Sequence, residues 1–339
     1  MNNIAFIVTK SEIGGAQTWT NEMMKLVRND SSVHLITSEE GWLTEQGNFD
    51  NILILPQLKK HFSLTGYFAL LKYIKNEKIR VMIASSANAG IYSRMAKLFT
   101  RFRCVYVSHG WSCIYNGGTL KLLFIKIEKY LSHLTDVIWC VSKSDEEKAR
   151  NIIGIRQNKI ITLTNSIPKM KCKENHENNR KIVFVGRLTH PKRPELLADV
   201  VRKHPDIQLD VVGGGGYLEK LRDKFKDCAN INFLGEIKSF NNYSDYDVFA
   251  LISDSEGLPM SGLEAHTAGI PLLISDVGGC KELIDKNGII VSNIPKEIEQ
   301  GLLDIFDKYD IYLAAAQLEK KKFDFNSYSS AYKRLILGL

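Results

Sequence analysis

Two carboxylates, Glu256 and Glu264, are separated by seven residues that include Leu258-Pro259-Met260-Ser261-Gly262. Pro259 suits the first turn of a helix. The backbone N–H groups near Met260, Ser261 and Gly262 then form an anion site that the helix dipole strengthens. Two carboxylates beside a bound phosphate would repel it, so they serve better as acceptors for sugar hydroxyls; the plainer role for Glu264 is a capping or salt-bridged helix residue. A second group is Val185-Gly186-Arg187-Leu188-Thr189-His190-Pro191-Lys192. Arg187 offers a planar fork and Lys192 a point charge, a pair suited to a diphosphate. A solvated basic loop is the alternative. A third is the run Gly213-Gly214-Gly215-Gly216, where a base or ribose can lie against bare backbone, unless the run is only a flexible turn.

Two further candidates lie upstream. Gly14-Gly15 precedes a helix and can admit a phosphate to helix N–H groups, or act as an ordinary turn. No GxGxxG pattern accompanies it, which disfavours a nicotinamide cofactor. His109 follows an apolar run, Cys104–Ser108. At a strand tip it can reach a sugar hydroxyl or serve a structural role. Asp245-Tyr246-Asp247 fits a DxD metal pattern, but its place before an apolar run makes it a turn at a strand's amino end. No metal ligands are expected.

The elements that must hold these residues follow from periodicity. Short β-branched runs alternate with amphipathic, helix-length segments. Strands are expected at Ile4–Val8, Val33–Thr37, Ile52–Leu55, Val81–Ala84, Cys104–Ser108, Val137–Val141 and Ile160–Leu163. A second series covers Lys181–Val185, Gln208–Val212, Ile231–Leu234, Val248–Ile252, Pro271–Ser275 and Gly288–Val291. Helices are expected at Ala16–Val27, Leu64–Lys75, Asp145–Ile153 and Phe323–Leu337. Such alternation predicts parallel sheets with helices on both faces, an α/β architecture of two doubly wound Rossmann-like domains. The boundaries are 1–165 for the first domain, 166–180 for a polar segment read as an exposed linker or a domain edge, 181–322 for the second domain, and 323–339 for a last helix that packs back toward the first. Ligands in such sheets bind at the carboxyl ends of strands, here in a cleft between facing domains.

Charge divides unevenly. Residues 1–165 carry 21 Lys+Arg against 13 Asp+Glu, and residues 166–339 carry 24 against 25, so the net +7 of the 339-residue chain comes from the first part. The excess is interleaved with apolar residues: Lys59, Lys60, Lys72, Lys75, Lys78 and Arg80 beside Phe62, Tyr67, Phe68 and Tyr73; RMAKLFTRFR at 94–103; LKLLFIKIEKYL at 120–131. Such helices suit an anionic lipid surface. Ordinary amphipathic helices with Lys outside and Leu and Phe in the core would look the same. Nucleic acid is the disfavoured partner. Six cysteines, at 104, 113, 140, 172, 228 and 280, form no CxxC pair, so reduced thiols are expected rather than disulfides or zinc sites. No apolar run approaches the ~18 residues of a membrane span, and Met1–Thr9 lacks a basic leader. A cytoplasmic protein, peripheral at the inner membrane face, is the expectation.

Together these segments resemble glycosyltransferase family 4, the retaining enzymes of GT-B fold. The resemblance runs through Gly14-Gly15-Ala16-Gln17, His109, Val141–Ser144, Thr164-Asn165-Ser166-Ile167, Gly186-Arg187-Leu188, Lys192, Gly213–Gly216, Phe233-Leu234-Gly235, the Glu256/Glu264 pair, Val277-Gly278-Gly279 and Glu282. It departs where Arg193 replaces a usual glycine, Ser166 follows Asn165, and His266 replaces a common Met.

The resemblance implies that Arg187 and Lys192 bind the donor diphosphate, with Gly14, Gly15, Asn165, Gly186 and the Leu258–Gly262 turn around it. Glu264 binds the ribose, with Gly213 and Gly214 nearby and Ile237 beside the base. Glu256 contacts the transferred sugar, and His109 lies near its C6 hydroxyl. The implied reaction is retaining, metal-free transfer from a nucleotide sugar, a UDP-sugar above others, with no cofactor. The departing phosphate takes the acceptor's proton by same-face attack. The acceptor suited to a basic first domain is a lipid-linked oligosaccharide of bacterial surface polysaccharide (O-antigen or capsule) assembly. Alternatives are a soluble acceptor, a non-hydrolysing UDP-sugar 2-epimerase of the same fold, and a catalytically silent carbohydrate-binding subunit.

Overall fold

The computed structural model describes residues 2–59, 62–115, 118–174 and 177–339. Lys60 of the basic stretch, and Asn175 and His176 of the expected linker, lie outside the described residues. The chain forms two compact units: residues 1–164 with 328–339, and residues 165–327.

The first unit is built on a parallel sheet of β1 (Asn2–Ile7), β2 (Ser31–Thr37), β3 (Asn51–Ile54), β4 (Val81–Ala84), β5 (Arg103–Ser108), β6 (Val137–Cys140) and β7 (Ile160–Thr162). Their spatial order is β3-β2-β1-β4-β5-β6-β7. Its helices are α1 (Gly15–Val27), α2 (Trp42–Gln46), α3 (Leu64–Asn76), α4 (Ala87–Ala96), α5 (Ser112–Tyr115), α6 (Lys121–His133) and α7 (Lys143–Lys148). The inner strands are buried on both faces: Ile4, Ala5, Phe6, Ile83, Val105 and Trp139 have no more than trace exposure, while the edge strands β3 and β7 are partly exposed. That double burial is why the inner strands appear in sequence as continuous apolar runs. Each fully buried aliphatic side chain contributes about 1.5–3 kcal/mol.

The second unit carries β8 (Lys181–Val185), β9 (Gln208–Val212), β10 (Ile231–Gly235), β11 (Val248–Leu251), β12 (Leu272–Ser275) and β13 (Gly288–Val291). They run parallel in the order β10-β9-β8-β11-β12-β13. Around them lie α8 (Pro194–Val201), α9 (Leu218–Phe225), α10 (Met260–Ala268), α11 (Pro295–Asp307) and α12 (Tyr309–Glu319). The last helix, α13 (Phe325–Leu337), ends in the first unit. There the Tyr332 ring packs, tilted, 5.3 Å from that of Trp139 and its hydroxyl donates to the Thr164 carbonyl at 2.5 Å.

Three local findings depart from the sequence pattern. The segment 166–180 is not a wholly exposed linker: Ile167 and Lys173 are buried. Lys173 is held inside because its ammonium pairs with Asp247 at 2.9 Å, while the Lys181 N–H donates to the same carboxylate. The expected helix at Asp145–Ile153 starts earlier, as α7, and widens over Ala149–Ile153 before Gly154 ends it. Arg94, counted within a basic surface stretch, is fully buried. Its guanidinium grips Glu128 at 2.7 and 3.2 Å, donates to the Gly90 carbonyl, and lies 4.1 Å from the centre of the Tyr106 ring. A buried cation needs such pairing, and removing one partner would strand the other.

Candidate functional site

In the second unit, most sequence-selected residues gather at the carboxyl ends of the sheet. The loop after β8 carries Gly186, Arg187 and Lys192; that after β9 carries Gly213 and Gly214; that after β10 carries Ile237; that after β11 carries Glu256 and leads into α10. From β8 the chain moves outward to β9 on one side and returns to β11 on the other. This is the switch point at which doubly wound sheets bind ligands.

Backbone bonds knit these loops together. The Gly186 N–H donates to Val212, the Leu188 N–H to Gly214 at 2.7 Å, and the Gly213 N–H to Gly235. Gly213 has φ +150, and a Cβ there would fall 1.9 Å from the Gly186 carbonyl oxygen. Gly278 plays the same part at the next loop: its φ is +55, and an added Cβ would come within 1.7 Å of the Glu256 carbonyl oxygen. The Gly279 N–H donates to Gly257. Glycine is required at both places by close backbone approach.

The charged groups lie on the loops after β8 and β11 and at the start of α10. Pro259 occupies its N-cap position, and no side chain caps the helix. Its first N–H groups and positive dipole end therefore remain suited to an anion. Lys192 is fixed by its own backbone, which bridges Ser253, and its ammonium meets Glu256 Oε1 at 2.5 Å. The ion pair leaves the second Glu256 oxygen and two ammonium protons for other partners. Arg187 is exposed. Asn165 is buried, with its amide nitrogen 3.7 Å from Met260 Sδ and its Oδ1 without a partner among the described residues. Leu258 and Pro259 are buried under this turn, and Ile237 is exposed.

Glu264 sits one turn into α10. Burial pushes its carboxyl up to about 7. Tyr243, from the turn before β11, donates to Oε2 at 2.5 Å and works against that shift. Tyr243 itself is fully buried between Phe240 and Phe249, and burial beside Glu264 raises its phenol far above the usual range. Nothing in the sequence marks Tyr243 as a partner of Glu264, because the contact joins residues on separate elements.

The sign of the resulting pH effect is definite. A carboxyl whose folded pKa is raised binds a proton more readily when folded, so its contribution is complete below about 4.5 and lost as pH rises through about 7. The difference in melting temperature between wild type and Glu264→Gln should therefore change across that window. A constant difference from pH 4.5 to 8 would contradict the perturbed carboxyl.

In the first unit, Gly14 is the N-cap of α1 and Gly15 its first residue, again with no side-chain cap. They follow β1, which lies centrally beside β4. His109 follows β5. Its Nε2 is buried with no partner among the described residues, and its ring packs edge-on against Trp19 at 5.2 Å. Burial lowers its pKa to about 4, so the imidazole is neutral at pH 7 and free to bond a hydroxyl. Asp245–Asp247 lies before β11, at the amino end of the sheet, with Asp247 engaged by Lys173. Among the described residues there is no cluster of three or more His, Cys, Asp or Glu able to hold a metal.

Residues 13–169 match the family described as Glycosyltransferase Family 4, and residues 166–322 match Glycosyl transferases group 1. The chain is 57% identical over 338 residues to the O-antigen biosynthesis glycosyltransferase WbnH of Escherichia coli, covering 100% of both chains. It is 25% identical to the UDP-Gal:alpha-D-GlcNAc-diphosphoundecaprenol alpha-1,3-galactosyltransferase of Escherichia coli, covering 90% of this chain and 84% of that one. Among solved structures, Anabaena HepE in complex with UDP-glucose superposes with a TM-score of 0.85 at 16% identity, covering 100% of both chains. The fold is therefore GT-B.

Proposed function

Since this chain belongs to the group 1 glycosyltransferases of family 4, we propose that it moves a sugar from a UDP-sugar to a hydroxyl of a lipid-linked oligosaccharide, with retention of configuration, in O-antigen or related surface polysaccharide assembly. The observation that carries the reading lies within the second unit: Arg187, the Lys192–Glu256 pair and the uncapped start of α10 share the carboxyl ends of β8 and β11. The name of the diphosphoundecaprenol-linked relative and the UDP-glucose bound to HepE support the donor and acceptor classes.

The chemistry follows from where charge develops. As the C1–O bond of the donor breaks, negative charge grows on the β-phosphate. Arg187, Lys192 and the N–H groups at Met260–Gly262 oppose it, and fixed dipoles and charges of this kind are commonly the largest catalytic contribution. The departing phosphate takes the proton of the acceptor hydroxyl as that oxygen bonds C1 on the same face. Glu264 accepts from ribose hydroxyls and Glu256 from the transferred sugar. The positive groups replace a metal ion, so activity should persist in excess EDTA; a complete loss restored by Mg²⁺ would contradict this.

The first unit's positive charge is proposed to hold the protein peripherally at an anionic membrane on the cytoplasmic side. Among the described residues no helix is long and apolar enough to cross a membrane. The direct test of the activity is a panel of nucleotide sugars screened by thermal shift, followed by transfer from the tightest binder to a polyprenyl-diphosphate-linked sugar. Stabilisation by UDP-sugars and acceptor-dependent UDP release are expected. Turnover of donor to its 2-epimer without acceptor would overturn the transferase reading.

A further inference from the structure

The sequence left two readings for the basic, aromatic helices, and α6 separates them. A helix packed on a core buries its apolar stripe and turns its lysines outward. In α6 only Glu128, Leu131 and Ser132 are buried. Leu122 is 75% exposed, Leu123 51% and Tyr130 67%, with Phe124 and Ile127 also exposed. Lys121, Lys126 and Lys129 are exposed among them, and the helix's one carboxylate, Glu128, is turned inward onto Arg94. Its exposed face is therefore apolar and positive, with no exposed carboxylate of its own.

This face continues onto its neighbours. Ile127 and Tyr130 line an apolar groove of about 350 Å³ together with Phe62, Ile91, Met95 and Lys126. Phe62 packs 5.4 Å from Tyr67, whose ring also meets Phe68 at 5.9 Å and Phe99 at 6.4 Å. Phe68 and Phe99 are 63% and 66% exposed. Beside them, Lys75, Lys78, Arg80 and Arg101 are exposed around a second hollow. The carboxylates in this region are few: Glu77 is half-buried, and Asp136 is paired with Lys97.

Contiguous exposed apolar surface on this scale marks an interaction site. Large apolar side chains mixed with lysines are the composition of a helix lying in a lipid interface. We infer that α6 inserts its Leu122–Tyr130 face into the surface of an anionic bilayer, with the Phe62/Phe68/Phe99 cluster beside it, so that attachment depends on apolar insertion as well as charge. The occupant is chosen by charge complementarity: a lipid surface supplies hydrocarbon and phosphate together. The inference rests on the membrane-facing part of the proposed function and is separable from the donor reading.

The experiment uses the full chain and vesicles of phosphatidylcholine with about a quarter phosphatidylglycerol. Wild type should float with them. The double variant Leu122→Asp/Leu123→Asp, altered only at exposed positions, should lose at least about tenfold in vesicle affinity while keeping the thermal stabilisation by UDP seen in wild type. Leu122→Trp should keep binding and show a blue-shifted emission on vesicles. Vesicle binding by the double variant equal to wild type would reduce the contact to surface charge and overturn the inference. So would wild type that ignores vesicles, including the case where it instead forms a dimer that the double variant loses. Absence of UDP stabilisation in wild type would count against the donor reading alone and leave vesicle binding to decide this one.

Discussion

Replacing Arg187 with alanine should lower kcat by about 10²-fold or more, with a much smaller change in donor KM. The guanidinium stands on the loop after β8, beside the strand whose loop leads into α10. Its proposed task is to meet charge that appears on the β-phosphate only as the glycosidic bond breaks. An interaction made mainly in the transition state lowers kcat rather than ground-state binding. Arg187→Lys should recover only part of the loss, because an ammonium cannot reproduce the planar two-point grip. Steady-state kinetics with donor and lipid-linked acceptor would decide it. An unchanged kcat would remove Arg187 from the mechanism and leave Lys192 and the α10 terminus to carry the diphosphate.

Gly213→Ala should damage both folding and donor binding. The added methyl would lie 1.9 Å from the Gly186 carbonyl oxygen, and the position has φ +150. A backbone atom cannot swing aside as a side chain can, so the loops after β8 and β9 must part. Their mutual bonds, Gly186 to Val212 and Leu188 to Gly214, would be strained together. A conformation nearly reserved to glycine costs about 1–3 kcal/mol in another residue, and the contact adds to it. A fall of about 5 °C or more in the second unit's melting temperature is expected, with UDP affinity reduced at least about tenfold. Calorimetry with and without UDP measures both. An unchanged melting temperature would show that these loops yield easily and do not form a rigid cradle.

Why one glycine matters so much also explains what the sequence made legible. Every strand of both sheets lies within two residues of its expected position, and the inner parallel strands, buried on both faces, leave continuous apolar runs such as Ile182–Phe184 and Leu272–Ile274. The residues after β8, β9 and β11 could be placed at one end of the sheet for the same reason: strand direction and alternation suffice. Contacts between elements could not be read. Tyr243 reaches Glu264 across the turn before β11, and Lys173 reaches Asp247 from a segment whose composition is that of a linker. Arg94 and Lys126 look alike in a basic stretch, yet one is buried against Glu128 and the other is exposed. The face a helix turns outward depends on what packs against it, and α6 has little packed against Leu122 and Leu123.

The pairing of Lys192 with Glu256 bears on the mechanism as well. At 2.5 Å the two groups hold each other before any substrate arrives. Preorganised charge costs no rearrangement at the moment of reaction. In the proposed mechanism Glu256 places the ammonium while keeping one oxygen for a sugar hydroxyl, which would account for a carboxylate close to the proposed phosphate-binding lysine.

In the proposed mechanism the second unit grips a nucleoside diphosphate through Arg187, Lys192 and the start of α10. A crystal structure of the protein with UDP tests it most directly. The β-phosphate should lie within hydrogen-bond distance of the Arg187 guanidinium, the Lys192 ammonium and at least one N–H of Met260–Gly262, with the ribose hydroxyls on Glu264. UDP bound away from all three groups, or a β-phosphate facing solvent with Lys192 still closed onto Glu256, would contradict it.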